Sequence, residues 1–258
     1  MNLGINGKRV LVTGASSGLG RLIATEFAKE GCLVSAIARR EKELKELVKE
    51  MGGEEKGHSF YQTDLMEEGA PAKAVKELSK ENGFDIVVHN LGGTLEIKDP
   101  LASMEDFFNV WKFNVGISIE INNLAIPQMK KRKWGRIINI SSISAESLRG
   151  SAAYAAAKAY LNAYTKTLGR AVAKDGIVVS AIMPGAIYTQ GGHWDENSQK
   201  NAKDKEAFLK KKSDFLRHHH AIGRMGNTEE VVPFVLFMAS KHVTFANGSI
   251  IPVDGGTM

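Results

Sequence analysis

The sequence holds a single cysteine, Cys32, so no disulfide can form within the chain. That excludes the disulfide-stapled secreted class, and a reducing compartment, the cytoplasm, is the expected location. No apolar run reaches the roughly 18 residues that a membrane-spanning helix needs. The opening MNLGINGKRVLVTG lacks the charged segment and following apolar stretch of a secretory signal. Linkers, repeats and low-complexity tracts are absent, so the 258 residues read as one domain, 1–258, long enough to bury most of its apolar surface. Neither charge dominates: 34 Lys and Arg against 29 Asp and Glu leave a formal +5. No basic stretch is interleaved with aromatics, so a nucleic-acid partner is not expected. Metal-ligand spacing is missing too. His218-His219-His220 has no acid or cysteine cluster beside it, and no metal is expected.

What is present is alternation. Short apolar runs fall at Lys8-Thr13, Leu33-Ala38, His58-Thr63, Asp85-Asn90, Gly135-Ser141, Ile177-Met183 and Ser249-Val253. All but His58-Thr63 are near-continuous, the pattern of strands buried on both faces. Helical stretches lie between them: one follows Gly18 and ends at Gly31, and another, Glu41 to Glu50, carries Leu44, Leu47 and Val48 on one face. Strands alternating with helices predict an α/β fold, a single Rossmann-like, doubly wound parallel sheet of about seven strands with helices on both faces. Ligands bind such sheets beyond the C-terminal strand ends, so those ends carry the functional information.

The first strand runs directly into Thr13-Gly14-Ala15-Ser16-Ser17-Gly18-Leu19-Gly20 and then a helix. Glycine allows a tight turn and close approach of a ligand to the backbone. A helix N-terminus offers free N–H groups and the positive end of its dipole, which suits a pyrophosphate. The spacing is G-x-x-x-G-x-G rather than G-x-G-x-x-G, and TGASSGLG resembles the cofactor turn of the short-chain dehydrogenase/reductase superfamily. The second strand ends Ala38-Arg39-Arg40-Glu41, with no acid to hold the ribose hydroxyls of NAD. Arg39, with Arg40, suits a 2′-phosphate instead, and Ser16 and Ser17 add hydroxyls. NADP(H) is therefore expected over NAD(H).

The resemblance extends from Lys8 to Gly256. It implies adenine contacts at Asp64-Leu65, although Asp64 would equally close an Asx turn or cap a helix. His89-Asn90-Leu91-Gly92-Gly93 departs from the family's N-N-A-G at His89 and Leu91. There Asn90 would hold the sheet end and Gly92 admit the adenine-side ribose, while a lone histidine at a strand end is more often structural. Tyr154 and Lys158 lie four apart on one helix face. A free tyrosine titrates near 10, so a neighbouring cation is needed for it to work at neutral pH.

By the same resemblance Ser142 orients the substrate oxygen and Asn114 completes the set, holding a helix irregularity and a water linked to the lysine. The spacing to Tyr154 is one residue short of the family's, which leaves Ser141 open as the alternative, and Ser144 is a weaker candidate. Lys158 would also hold the nicotinamide ribose. Pro184-Gly185-Ala186-Ile187-Tyr188-Thr189 resembles the family's P-G-x-x-x-T turn, with Ile187 and Thr189 holding the carboxamide. The irregular stretch 190–217 would be a substrate lid, with His193 and Trp194 against substrate. The expected activity is interconversion of a carbonyl and a secondary alcohol on a polar small molecule, a sugar or sugar derivative slightly favoured. The alternatives are reduction of a 3-oxoacyl thioester and, in a different class, a non-catalytic NADP(H) sensor. Family resemblance implies a homotetramer, or a dimer.

Overall fold

The structure, a computed structural model, describes residues 1–79, 83–147, 150–189, 214 and 220–257. Seven parallel strands form one sheet in the order β3-β2-β1-β4-β5-β6-β9. They are β1 (Arg9–Thr13), β2 (Leu33–Ala38), β3 (Ser59–Gln62), β4 (Ile86–His89), β5 (Gly135–Ile140), β6 (Ile177–Pro184) and β9 (Ile250–Val253). A separate two-stranded pair joins β7 (Ile187–Tyr188) to β8 (Gly226–Asn227). Each apolar run expected to be a strand is one, with ends shifted by a residue or so. The chain winds outward from β1 to β3, then crosses back to β4 and winds the other way. The reversal leaves a crevice between the C-terminal ends of β1 and β4.

Alternation along the strands divides the core. Val10, Val12, Val34, Ile86 and Val88 face one layer, with α1 (Gly18–Lys29), α2 (Glu41–Glu50) and α8 (Thr228–Ala239) packed on it. Leu11, Ile37, Val87, Ile137 and Val179 face the other, which is covered by α3 (Ala70–Ser79), α5 (Ile117–Arg132) and α7 (Ala152–Val172). Because both faces are covered, the central strands have no polar side to display, which is why their sequences read as unbroken apolar runs. A third cluster, Val110, Val115, Ala153, Ala157 and Leu161, joins α4 (Met104–Trp111) to α7. Cys32 is buried, its thiol donates to the Ile5 carbonyl at 3.2 Å, and burial pushes its pKa up to about 12. Among the described residues no helix is long and apolar enough to cross a membrane.

His89 closes β4 on the α5–α7 side and is 2 % exposed. Its Nε2 lies 2.8 Å from Asn122 Oδ1, and Asn122 Nδ2 donates to the Tyr164 hydroxyl at 3.2 Å. Among the described residues its Nδ1 meets no acceptor, so a second ring proton would be buried without a partner. Burial accordingly lowers the His89 pKa from 6.5 to about 4, against a smaller opposing effect of the Asn122 bond. The histidine is thus a neutral structural group. Because the folded pKa is depressed, its contribution is complete above pH 6.5 and is lost as pH falls from 6.5 towards 4. The loss is of order 3 kcal/mol. Urea denaturation should show His89→Asn with a shallower decline of stability than wild type across that interval; equal slopes would contradict a buried neutral imidazole.

Candidate active site

The first turn is tied to the fourth strand by two short polar side chains. The Thr13 hydroxyl accepts from the backbone N–H groups of Asn90 and Leu91 at 3.1 and 3.2 Å. Asn90 Nδ2 returns hydrogen bonds to the Thr13 and Gly14 carbonyls at 3.3 and 3.1 Å. This closes the crevice at its floor. A Cβ on Gly20 would lie 2.3 Å from the Gly14 carbonyl oxygen and 2.4 Å from Asn90 Nδ2, so α1 can approach β1 this closely only with glycine there. Gly14 and Gly18 adopt φ of +66° and +55°, a region that disfavours side chains. Ser17 stands at the N-cap of α1 without capping it, and the first turn of the helix carries no acid. The positive end of that helix is therefore open to an anion.

A cleft of about 410 Å³ starts at this turn. It collects Gly14, Ser16 and Ser17 from the first turn, Arg39 and Arg40 from the second, Asp64 and Leu65 from the third and Gly92 from the fourth. The arginine expected to lead differs from the one that docks. Arg40 donates from Nε and Nη2 to Ser16 Oγ at 3.2 and 3.0 Å, directly on the turn. Arg39 is 72 % exposed and lies 3.8 Å from Asp64. Asp64 also accepts from the Met66 N–H at 2.9 Å, the Asx turn the sequence allowed. Leu65 turns its side chain into the core, and Leu19 packs against the core on the other side of the sheet. Phe113 also lines the cleft; it escaped the sequence reading because no spacing singles it out.

Beyond Gly92 the site becomes a cluster of hydrogen-bonding side chains. Lys158 is 2 % exposed, and its Nζ donates to the Ile140 carbonyl at 2.8 Å. Burial lowers its pKa from 10.5 to about 7. Tyr154, partly buried, stacks its ring 5.6 Å from that ammonium. Burial raises the tyrosine pKa, and a hydrogen bond with Ser142 partly offsets the rise. Ser141 is turned elsewhere: it is 4 % exposed and donates to Asn162 Oδ1 at 2.6 Å. Of the two serines left open by spacing, Ser142 is the one beside Tyr154. Ser144 supplies its backbone N–H to Ser142 Oγ at 3.1 Å.

Asn114 sits in a π-helical turn, Lys112–Gly116, between α4 and α5. Its Nδ2 donates to the carbonyls of Val110 and Gly93, both at 2.8 Å, and its Oδ1 accepts from the Gly93 N–H at 3.1 Å. The Val110 carbonyl is the acceptor that the Asn114 backbone would take in a regular α-helix, so the side chain compensates for the wider turn. A Cβ on Gly92 would meet Asn114 Oδ1 at 2.6 Å and Lys158 Nζ at 2.9 Å. Gly92 therefore lets the fourth strand end, the π turn and α7 converge.

The sixth strand end closes the site. The Pro184 carbonyl accepts from the Ile143 N–H at 3.1 Å, beside Ser142. Gly185 bonds Val253 at 3.0 Å, Ile187 pairs with Gly226, and Thr189 lies next to Gly18 of the first turn. The proposed lid 190–217, apart from Asp214, and with it His193 and Trp194, lies outside the described residues. Among the described residues no group of three or more His, Cys, Asp or Glu is placed to hold a metal ion.

The chain matches the model of the family described as short chain dehydrogenase over residues 8–200. It is 32 % identical over 261 residues to 3-oxoacyl-[acyl-carrier-protein] reductase of Pseudomonas aeruginosa, covering 98 % of each chain. It is 34 % identical over 253 residues to the protein of that description in Rickettsia typhi, covering 98 % of this chain and 97 % of that one. Among solved structures, L-sorbose reductase from Gluconobacter frateurii, complexed with NADPH and L-sorbose, matches with a TM-score of 0.91 and 31 % identity, over 100 % of this chain and 99 % of that one. A 3-oxoacyl (acyl-carrier-protein) reductase from Agrobacterium tumefaciens C58 with NADP bound matches with a TM-score of 0.85 and 28 % identity, over 98 % and 95 % of the two chains.

Proposed function

We propose that this chain, which belongs to the short chain dehydrogenase family, reduces the ketone of a 3-oxoacyl thioester with NADPH. The observation that carries the reaction class is the meeting of Ser142, Tyr154 and Lys158 beyond Gly92 of the cleft. Catalysis between C=O and CH–OH follows from family membership. The choice of thioester follows the relatives, which at 30–34 % identity and near-complete coverage carry that description. The stretch 190–217 expected to meet substrate lies, apart from Asp214, outside the described residues. Likeness to L-sorbose reductase keeps a sugar ketone as the second reading.

The cleft fits NADPH on its own chemistry. A pyrophosphate suits the open N-terminus of α1 and the glycines that bring the backbone close. Arg40 held on Ser16, with Arg39 beside it, suits a 2′-phosphate. The bound cofactor supplies the hydride from nicotinamide C4. Ser142 donates a hydrogen bond to the substrate carbonyl oxygen, and Tyr154 delivers the proton that this oxygen acquires. Since burial raises the tyrosine pKa, it holds its proton at neutral pH and is the acid of the reductive direction. Lys158, in its charged form, stabilises the phenolate left behind and would hold the nicotinamide ribose. Asn114 keeps Gly92–Gly93 and the lysine in place and anchors the water through which the proton is replaced. Ile187 and Thr189 would hold the carboxamide. Met104 and Phe108 on α4 and Phe234 and Phe237 on α8 are exposed, apolar surface that supports association of copies into a tetramer.

Two outcomes check this reading. Tyr154→Phe should lower NADPH consumption with a 3-oxoacyl thioester by at least about 100-fold while leaving NADPH affinity within about twofold; retained turnover would contradict it. Arg40→Ala should weaken NADPH about tenfold and leave NADH unchanged, read by cofactor fluorescence titration; equal weakening of both would remove Arg40 from the 2′-phosphate.

A further inference from the structure

The helix that carries Tyr154 and Lys158 is held from two sides. Ala153, Ala157 and Leu161 pack with Val110 and Val115 on the α4 side. The side towards β5 is held by three polar contacts to the end of that strand. Lys158 Nζ donates to the Ile140 carbonyl at 2.8 Å, Ser141 Oγ donates to Asn162 Oδ1 at 2.6 Å, and Asn139 Nδ2 donates to Thr165 Oγ1 at 2.9 Å. Positions 158, 162 and 165 stand in the i, i+4, i+7 relation, so they form one stripe, which Tyr154 extends by one turn. Asn162 and Thr165 are 6 % and 0 % exposed, and they meet consecutive odd positions of the strand, 141 and 139, which share the face towards α7. Asn162 also reaches Met183 Sδ on β6 at 3.5 Å, and Thr165 Oγ1 donates back to the Leu161 carbonyl at 2.8 Å.

We infer that Asn162 and Thr165 are positioning residues: by clamping Ser141 and Asn139 they set the rotation and axial register of α7 on β5, and so the place of Tyr154 and Lys158 against Ser142. The inference rests on the reading of Tyr154 and Lys158 as catalytic. The lever is about 12 Å long from Asn162 to Tyr154 at 1.5 Å of rise per residue, and misplacement of a reacting group by about 1 Å lowers rate roughly 100-fold. The Ser141–Asn162 bond acts twice. It fixes the helix, and by holding Ser141 towards α7 it leaves the next residue, Ser142, as the hydroxyl presented to Tyr154.

The test is the double variant Ser141→Ala/Asn162→Leu, which removes both partners and so strands no buried polar group. It is assayed with NADPH and a 3-oxoacyl thioester beside wild type and Tyr154→Phe. The expected result is a melting temperature and NADPH affinity close to wild type, KM within about threefold, and kcat at least about tenfold lower. The alkaline limb of the kcat–pH profile should also move, because Lys158 shares the stripe; a purely structural pair would not move it. Wild-type kcat in the double variant overturns the inference. If the double variant does not fold, Thr165→Val, which loses the Asn139 tie together with the local bond to the Leu161 carbonyl, carries the same test, with kcat at least about threefold down expected and an unchanged kcat overturning it. If Tyr154→Phe is itself fully active, the catalytic assignment falls, and this inference with it.

Discussion

The buried ammonium of Lys158 is the constraint around which the site is arranged. A cation at 2 % exposure is stable only where dipoles converge on it. Here the Ile140 carbonyl provides one at the end of β5. Gly92 provides room, since any side chain there would strike both the ammonium and Asn114. Asn114 in turn secures Gly93 and spans the π turn. One charge thus binds together the ends of two strands and two helices. Burial sets it near the middle of the physiological range, at about 7, where a proton can be exchanged at little cost.

The rest of the sheet delivers ligand to that point. At the reversal between β1 and β4, Thr13 and Asn90 hold the two strand ends together, and the cleft runs outward over the glycine turn to Arg40. The cofactor end and the catalytic end are therefore not separate sites. Both hang on residues two apart at the fourth strand end, Asn90 on the phosphate turn and Gly92 beside the lysine. Thr189, beside Gly18, and Pro184, beside Ile143, close the ring from the sixth strand.

Much of this was legible before any coordinates. The apolar runs located the strands because a parallel sheet covered on both faces leaves no polar alternation to confuse with a surface. The glycine turn was legible because strand, turn and helix follow without interruption. Ser141 and Ser142 could not be separated, since the decision depends on which face of β5 the α7 stripe covers, a tertiary fact. For the same reason Arg40 rather than Arg39 docks on Ser16: direction at a strand end is set by the neighbouring turn. Asn162 and Thr165 were invisible for a different reason, because a polar group on a buried helix face has no signature until its partner strand is known. The π turn at Asn114 was anticipated only through family resemblance; nothing in W-K-F-N-V encodes it locally.

The most direct test of this account is the pH dependence of kcat/KM for NADPH-dependent ketone reduction, which reports groups of the free protein. A buried Lys158 that must be charged to support the tyrosine predicts an alkaline limb with an apparent pKa near 7. A profile that stays flat well above pH 7 would contradict the claim that this buried ammonium governs the site.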